Sequence, residues 1–158
     1  MGNSDQRRER LRLQHFVPYR LSVLTNTVSS AIAGAYAQRF GITIPEWRVI
    51  AVLGLEPGLS AAEVADRTAM DKVAVSRAVS NLLRSRRVVR AMANSDRRRS
   101  VLRLSRPGES VYWRIVPFAR RYEEQLLAEF SPEERANLDR LLSRLQRRAR
   151  TLGPVKPE

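Results

Sequence analysis

The 158-residue chain has no cysteine and a single histidine. Without cysteine it can form no disulfide, no thiolate metal site and no nucleophilic thiol. A zinc site needs roughly three or four ligands, and only one of them could be an imidazole here. The sequence also contains no glycine-rich phosphate-binding run of the P-loop or G-x-G-x-x-G type. These absences predict that the chain is not an enzyme and that it uses no metal and no cofactor.

Long hydrophobic runs are missing as well. Runs such as VIAVLGL, at 49–55, are too short to cross a bilayer. The first residues, MGNSDQRRERLRLQ, have no apolar centre and so do not resemble a signal peptide. Their initial Met-Gly is at most a weak signal for myristoylation. We therefore expect a cytoplasmic protein, associated with the nucleoid and not with a membrane.

Positive charge is what the chain has in excess. Its 29 lysines and arginines stand against 16 acidic residues, which gives a formal net charge of +13. Such a balance is typical of proteins that bind nucleic acid or an anionic membrane surface. The apolar share of 43% is enough for a core of ordinary size in one compact fold.

Local signals predict a mainly helical chain. Apolar residues recur every three or four positions over about 16–39 and 107–129, which predicts two long helices. Three segments have the form of a capping box, in which a serine or threonine and a glutamate close a helix start. These segments are TIPE at 43–46, SAAE at 60–63 and SPEE at 131–134. They predict a helix ending near Leu55, a brief helix ending near Thr68, and a last helix that carries a leucine stripe.

The segment DKVAVSRAVSNLLR, at 71–84, predicts a further helix with two contrasting faces. Val75, Val79 and Leu82 form one apolar stripe, and Asp71 is a good N-cap. The opposite face is small, hydrogen-bonding and basic, and it contains no glutamate. Because the brief helix ends only about three residues earlier, the pair predicts a helix-turn-helix with residues 71–85 as its second helix.

Two short runs after this helix predict a β-hairpin. VVRAM at 88–92 and SVLRL at 100–104 are β-branched or alternating, and the polar segment ANSDRRR separates them. A purely structural hairpin is the alternative interpretation. Like charges at a hairpin tip repel one another, so three adjacent arginines favour a DNA-binding wing.

Most of the excess charge lies in this region. Residues 71–103 contain ten basic and two acidic residues. A helix fits the major groove of B-DNA, where side chains reach base edges, while wing arginines reach phosphates or a narrow minor groove. The candidate DNA-binding residues are Lys72, Val73, Ala74, Ser76, Arg77, Ser80, Asn81, Arg84, Arg97, Arg98 and Arg99.

Two longer segments resemble the MarR family of bacterial transcriptional regulators. They are LSAAEVADRTAMDKVAVSRAVSNLLRSRRVVR at 59–90 and NSDRRRSVLRLSRPG at 94–108. The Asp-Arg-Arg at 96–98 is similar to the family's wing motif, and LSRPG at 104–108 is similar to its LTxxG entry to the next helix. The resemblance covers about residues 15–150.

The resemblance implies a homodimer that binds palindromic double-stranded DNA through a winged helix-turn-helix in each subunit. It implies a DNA-binding region at 41–105. The dimerisation region would comprise the N-terminal helix, within 1–40, and the C-terminal helices, within 106–152. A loose tail is expected at 153–158. Many members of the family are repressors that a small aromatic ligand, phenolic or carboxylate, releases from DNA.

By position in the family, six residues are candidates for such an effector site: His15, Tyr19, Arg20, Trp47, Arg48 and Trp113. Four of them have a simpler alternative role. The two tryptophans can be core residues, Arg48 can face solvent or DNA, and His15 can pair with a neighbour. The redox-sensing branch of the family is excluded, because it needs cysteine.

Two other function classes are weighed against a DNA-binding regulator. RNA-binding or ribosome-associated proteins usually stack bases on exposed aromatics, but residues 71–105 contain no Phe, Tyr or Trp. A nuclease could use Glu46, Glu63 and Asp66. Two of these carboxylates are better explained as capping-box and helix-surface residues, which argues against a hydrolytic site.

Overall fold

The computed structural model describes residues 10–92 and 100–154. Within these ranges the chain is mainly helical, with six α-helices and one two-stranded antiparallel hairpin. The elements are α1 (Val17–Phe40), α2 (Ile44–Leu55), α3 (Ala61–Thr68), α4 (Lys72–Arg84), β1 (Val88–Met92), β2 (Ser100–Leu104), α5 (Arg106–Leu126) and α6 (Pro132–Leu152). A single 3-10 turn, Leu13–His15, precedes α1. The predicted mainly α fold with a helix-turn-helix and one small hairpin is confirmed.

The capping boxes start their helices as predicted. Ser60 accepts a hydrogen bond from the backbone N–H of Glu63, and the Glu63 carboxylate accepts from the backbone N–H of Ser60. The same reciprocal pair forms at the starts of α2 and α6. Asp71 caps α4 by accepting from the N–H groups of Val73 and Ala74, at 2.9 and 2.8 Å. Each cap satisfies N–H groups that have no partner inside the helix.

One helix end differs from its prediction. We expect α5 to continue to Glu129, but it ends at Leu126. The next residues form a tighter turn, in which the N–H of Phe130 donates to the carbonyl of Leu127 at 3.1 Å. The side chain of Arg135 donates to the carbonyls of both Leu127 and Phe130. These bonds satisfy the free carbonyls of the helix end, so apolar spacing alone overestimates its length.

The chain divides into two compact units, Met1–Phe118 and Ala119–Glu158. The described part of the first unit contains the hydrophobic core, to which α1, α2, α3, α4, the hairpin and the first half of α5 all contribute. Its fully buried side chains include Tyr36, Ile50, Leu53, Val64, Val75, Leu82 and Ile115. Burying each Val, Leu or Ile contributes about 1.5–3 kcal/mol, and this holds α4 firmly in place.

The hairpin is anchored to the helix-turn-helix at its base. In the register of β1 and β2, Val88 pairs with Leu104 and Arg90 pairs with Leu102. The N–H of Leu102 also donates to the carbonyl of Leu59 at 2.7 Å, and the N–H of Gly58 donates to the carbonyl of Leu102 at 2.9 Å. Gly58 has φ +90, a conformation that glycine adopts without steric cost. The loop before α3 is therefore joined to β2 by a single antiparallel bridge between Leu59 and Leu102.

Candidate nucleic-acid interface

Helix α4 buries one face and leaves the other free. Its buried residues are Val75, Ala78, Val79 and Leu82. Because successive residues are about 100° apart around a helix, the opposite face is centred on Val73, Arg77, Ser80 and Arg84. All four of these predicted DNA-binding residues are exposed, as are Lys72, Ser76 and Asn81. Ala74 is half-buried, which leaves it less surface for contact with a thymine methyl group.

A cavity flanks α4 on each side. One, of about 240 Å³, lies where Lys72, Ser76 and Ser80 face Ala61 of α3 and Arg90 of β1. Arg90 is exposed there and is a candidate DNA contact that sequence reasoning counted but did not single out. The only sequence signal for it is its place in the basic segment, since its proximity to α4 depends on how the hairpin packs.

The second cavity, of about 310 Å³, lies beside the carboxyl end of α4. It is lined by Gly41, Glu46, Asn81, Arg84, Ser85 and Arg87. The guanidinium of Arg84 donates to Oδ1 of Asn81 at 3.3 Å. This bond restricts two of the predicted DNA-binding side chains before any DNA binds, which lowers the entropy lost on binding.

The predicted wing tip, with Arg97, Arg98 and Arg99, lies outside the described residues. The strands on either side of them are described, and β1 begins four residues after α4 ends.

Four aromatic rings form a row in the first unit. The ring centroids of Tyr36 and Trp47 are 5.8 Å apart, those of Trp47 and Tyr112 are 6.2 Å apart, and those of Tyr112 and Trp113 are 5.0 Å apart. Tyr36 is buried, whereas Trp113 is 65% exposed and so is not a core residue. The structure therefore connects Trp47 and Trp113, two of the predicted effector-site residues, through Tyr112.

Arg48 lies beside the buried end of this row. Its guanidinium donates to Oγ of Ser29 at 3.3 Å. Burial raises the pKa of the Tyr36 phenol, and the positive charge of Arg48 acts in the opposite direction. A guanidinium and a phenol near aromatic rings can recognise a carboxylate or hydroxyl on an aromatic molecule. Sequence reasoning missed Tyr36, because it lies four residues after Ile32 and spacing alone assigns it to the core.

The other three effector-site candidates lie elsewhere. His15, Tyr19 and Arg20 are exposed around the start of α1. Among the described residues, no hydrogen bond or ring contact joins their side chains to Trp47, Arg48 or Trp113. The structure thus separates the six candidates into two groups.

Two of the carboxylates considered for a hydrolytic site, Glu46 and Glu63, lie in the first turns of α2 and α3. Between 10–92 and 100–154 no group of three His, Asp or Glu side chains is placed to hold a metal ion. The carboxylates of Glu46 and Glu63 accept hydrogen bonds from Thr43 and Ser60 at 2.8 Å, as their capping boxes predict. No helix in this part of the chain is both long and apolar enough to cross a bilayer.

Comparison with known proteins points to one family. A MarR family model matches residues 40–99. A transcriptional regulatory protein for the hcr operon of Thauera aromatica is 31% identical over 107 residues, which cover 68% of this chain and 64% of that protein. The chain thus aligns with slightly less than two thirds of that relative's length.

Solved structures agree along nearly the whole chain. A MarR/EmrR family transcriptional regulator from Acinetobacter sp. ADP1 is 30% identical, with a TM-score of 0.81 over 87% of this chain and 97% of that one. The transcriptional regulator PcaV from Streptomyces coelicolor, solved in complex with its natural ligand, is 25% identical, with a TM-score of 0.72 over 87% of this chain and 96% of that one. These are transcriptional regulators and not enzymes. The chain therefore belongs to the MarR family of winged helix-turn-helix transcriptional regulators.

Proposed function

We propose that the protein is a homodimeric repressor that binds a palindromic operator in double-stranded DNA. The observation that carries this proposal is the exposed face of α4, where Arg77, Ser80 and Arg84 lie opposite a fully buried apolar face. Such a face can enter the major groove and reach base edges. Residues 41–105 would read DNA, and the helices within 1–40 and 106–152 would form the dimer.

Each of the two units has exposed apolar residues that support the proposed dimer. On α1, Leu24 is 53% exposed, and Val17 and Leu21 are exposed on the same side of the helix. On α6, Leu141 is 49% exposed and Leu145 lies one turn further on. Apolar area left in water costs about 25 cal/mol per Å², so a second copy that covers these rows is stabilised. Light scattering should give about twice the subunit mass of 18.0 kDa.

The two groups of arginines should contribute to DNA binding in different ways. Replacing Arg77 with alanine should cost about 1–3 kcal/mol and relax base preference at one position of each half-site, because its side chain lies on the groove face. Replacing Arg98 should weaken binding to all sequences more evenly and reduce the salt dependence, as expected for a phosphate contact. Fluorescence anisotropy on a duplex selected by the wild-type protein from random DNA measures both effects. Equal losses with unchanged base preference in both variants would contradict these roles.

We further propose that a small aromatic carboxylate or phenol releases the repressor. The site is the aromatic row, with Arg48 pairing the acid group and Trp47, Tyr112 and Trp113 supplying apolar walls. The PcaV structure, which contains that protein's natural ligand, supports a ligand site in this fold. Release requires tighter ligand binding to a form that fits DNA poorly. A difference of about 1–3 kcal/mol between forms lowers operator affinity roughly 5- to 150-fold.

Calorimetry and operator titrations against hydroxybenzoates, salicylate and hydroxylated nicotinates test this site. Replacing Arg48 with glutamine should weaken binding of the acids at least about 10-fold, because a charge-assisted bond to the carboxylate is removed. Replacing Arg20 with glutamine is the matched control, since it removes the same charge from the other group of candidates and should leave ligand affinity unchanged. If replacing Arg20, and not Arg48, weakens binding of the acids, the ligand site lies at the start of α1. If no compound changes operator affinity, the effector proposal is wrong.

A further inference from the structure

Arg87 belongs to the basic segment between α4 and β1, but its side chain is directed into the fold. Its guanidinium Nη2 donates to the backbone carbonyl of Phe40, the last residue of α1. The residue is half-buried, whereas its neighbours Ser85 and Arg86 are exposed. The carboxyl end of a helix carries partial negative charge on its free carbonyls, so a cation is favourably placed there.

The backbone of the same residue is held from the opposite side. The carbonyl of Arg87 accepts from the N–H of Ser105 at 3.0 Å. Gly108, in the first turn of α5, lies so close that a Cβ added to it would be 2.0 Å from this carbonyl oxygen. Oγ of Ser105 also donates to the carbonyl of Arg86 at 2.6 Å and accepts from the N–H of Gly108 at 3.2 Å.

Arg86 has φ +56, in the left-handed region. This conformation costs a residue other than glycine about 1 kcal/mol or more, so the contacts around it must hold it there. Phe40 is itself in contact with α5, because the guanidinium carbon of Arg114 lies 5.0 Å from the centroid of the Phe40 ring. Residues 86 and 87 are therefore clamped between the end of α1 and the start of α5.

We propose that Arg87 is a positioning residue for DNA binding, which fixes the carboxyl end of α4 against α1 and does not itself contact phosphate. The N–H of Arg87 donates to the carbonyl of Leu82 at 2.9 Å, so the clamp acts directly on the last turn of α4. Two α4 helices must lie about 34 Å apart to enter successive major grooves. A small tilt of α4 relative to α1 changes that spacing. The inference rests on the proposed binding of operator DNA by a dimer.

The alternative role for Arg87 is direct contact with a DNA phosphate. Arg87 also lines the cavity that Arg84 and Asn81 border, and a phosphate could reach its remaining N–H groups from there. The slope of log affinity against log salt distinguishes the two roles, since its magnitude falls by about 0.9 for each phosphate that the protein no longer neutralises.

The experiment compares R87Q and R87K with R84Q and R90Q, on the duplex selected by the wild-type protein, over a range of salt concentrations. We expect R87Q to lower affinity about 10-fold at every salt concentration with an unchanged slope, since its charge-assisted bond to Phe40 is removed. We expect R87K to recover most of that affinity, because lysine keeps a positive charge beside the free carbonyls at the end of α1. R90Q should flatten the slope, whereas R84Q, on the groove face of α4, should relax base preference. Wild-type affinity in R87Q, or a slope flattened as in R90Q, would overturn the inference.

A second measurement needs no DNA. Hydrogen exchange of the free dimer should show faster exchange in R87Q at the amides of Gly41, Ser85 and residue 87, with R87K close to wild type. Unchanged exchange at these amides would also overturn the inference. If the wild-type protein selects no duplex, the proposed function fails, while the exchange data still decide whether Arg87 positions α4.

Discussion

Replacing both Leu141 and Leu145 with glutamate is expected to give a monomer that binds its operator at least about 100-fold more weakly. Both leucines are exposed on one side of α6, where we propose that the second copy packs. Four buried carboxylates per dimer would have to be desolvated, and each such burial costs several kcal/mol. A monomer engages only one half-site, so the advantage of joining two recognition helices disappears. Light scattering and anisotropy on the selected duplex measure the two effects.

The matched control is the pair Ala136→Glu with Arg150→Gln, which changes the net charge by the same amount away from the leucine row. It should remain a dimer and keep most of its operator affinity. If the leucine variant is still a dimer with wild-type affinity, α6 is not part of the interface. If both variants bind DNA equally weakly, the effect arises from charge and not from dimerisation.

Replacing Gly108 with alanine is expected to destabilise the protein by about 3 kcal/mol or more. The added methyl group would lie 2.0 Å from the carbonyl oxygen of Arg87, a distance that real Cβ atoms do not reach. Relief requires α5 to move away from the start of β1, which breaks the bonds of Ser105 to Arg86 and Arg87. Urea unfolding of the dimer at fixed protein concentration measures the change.

Ser110→Ala is the control, because this exposed residue lies on the same turn of α5 and should change stability by less than about 0.5 kcal/mol. If Gly108→Ala is as stable as Ser110→Ala, the start of α5 can move away from Arg87 at little cost. The contacts of Ser105 and Gly108 would then hold Arg87 only weakly.

Local signals were sufficient for most of the fold. The capping boxes at Thr43, Ser60 and Ser131 predicted three helix starts correctly, because the groups that satisfy one another are three residues apart. The stripe of Val75, Val79 and Leu82 correctly predicted the buried face of α4, because residues three or four positions apart lie on one side of a helix. Charge counting located the basic segment, since composition does not depend on packing. The end of α5 was predicted less well, because the Arg135 side chain helps to decide it.

The sequence by itself thus determined the element order, the two faces of α4 and the family resemblance, all of which depend on neighbours in the chain. Only the tertiary structure decided where individual basic and aromatic side chains are directed. Arg87 counts as one of ten positive charges between 71 and 103, yet its partner is the carbonyl of a residue 47 positions away. Trp113 lies on an exposed helix face while Trp47 is half-buried, although both are tryptophans in helical segments. Such assignments depend on which helices pack together, and side-chain chemistry alone does not specify that.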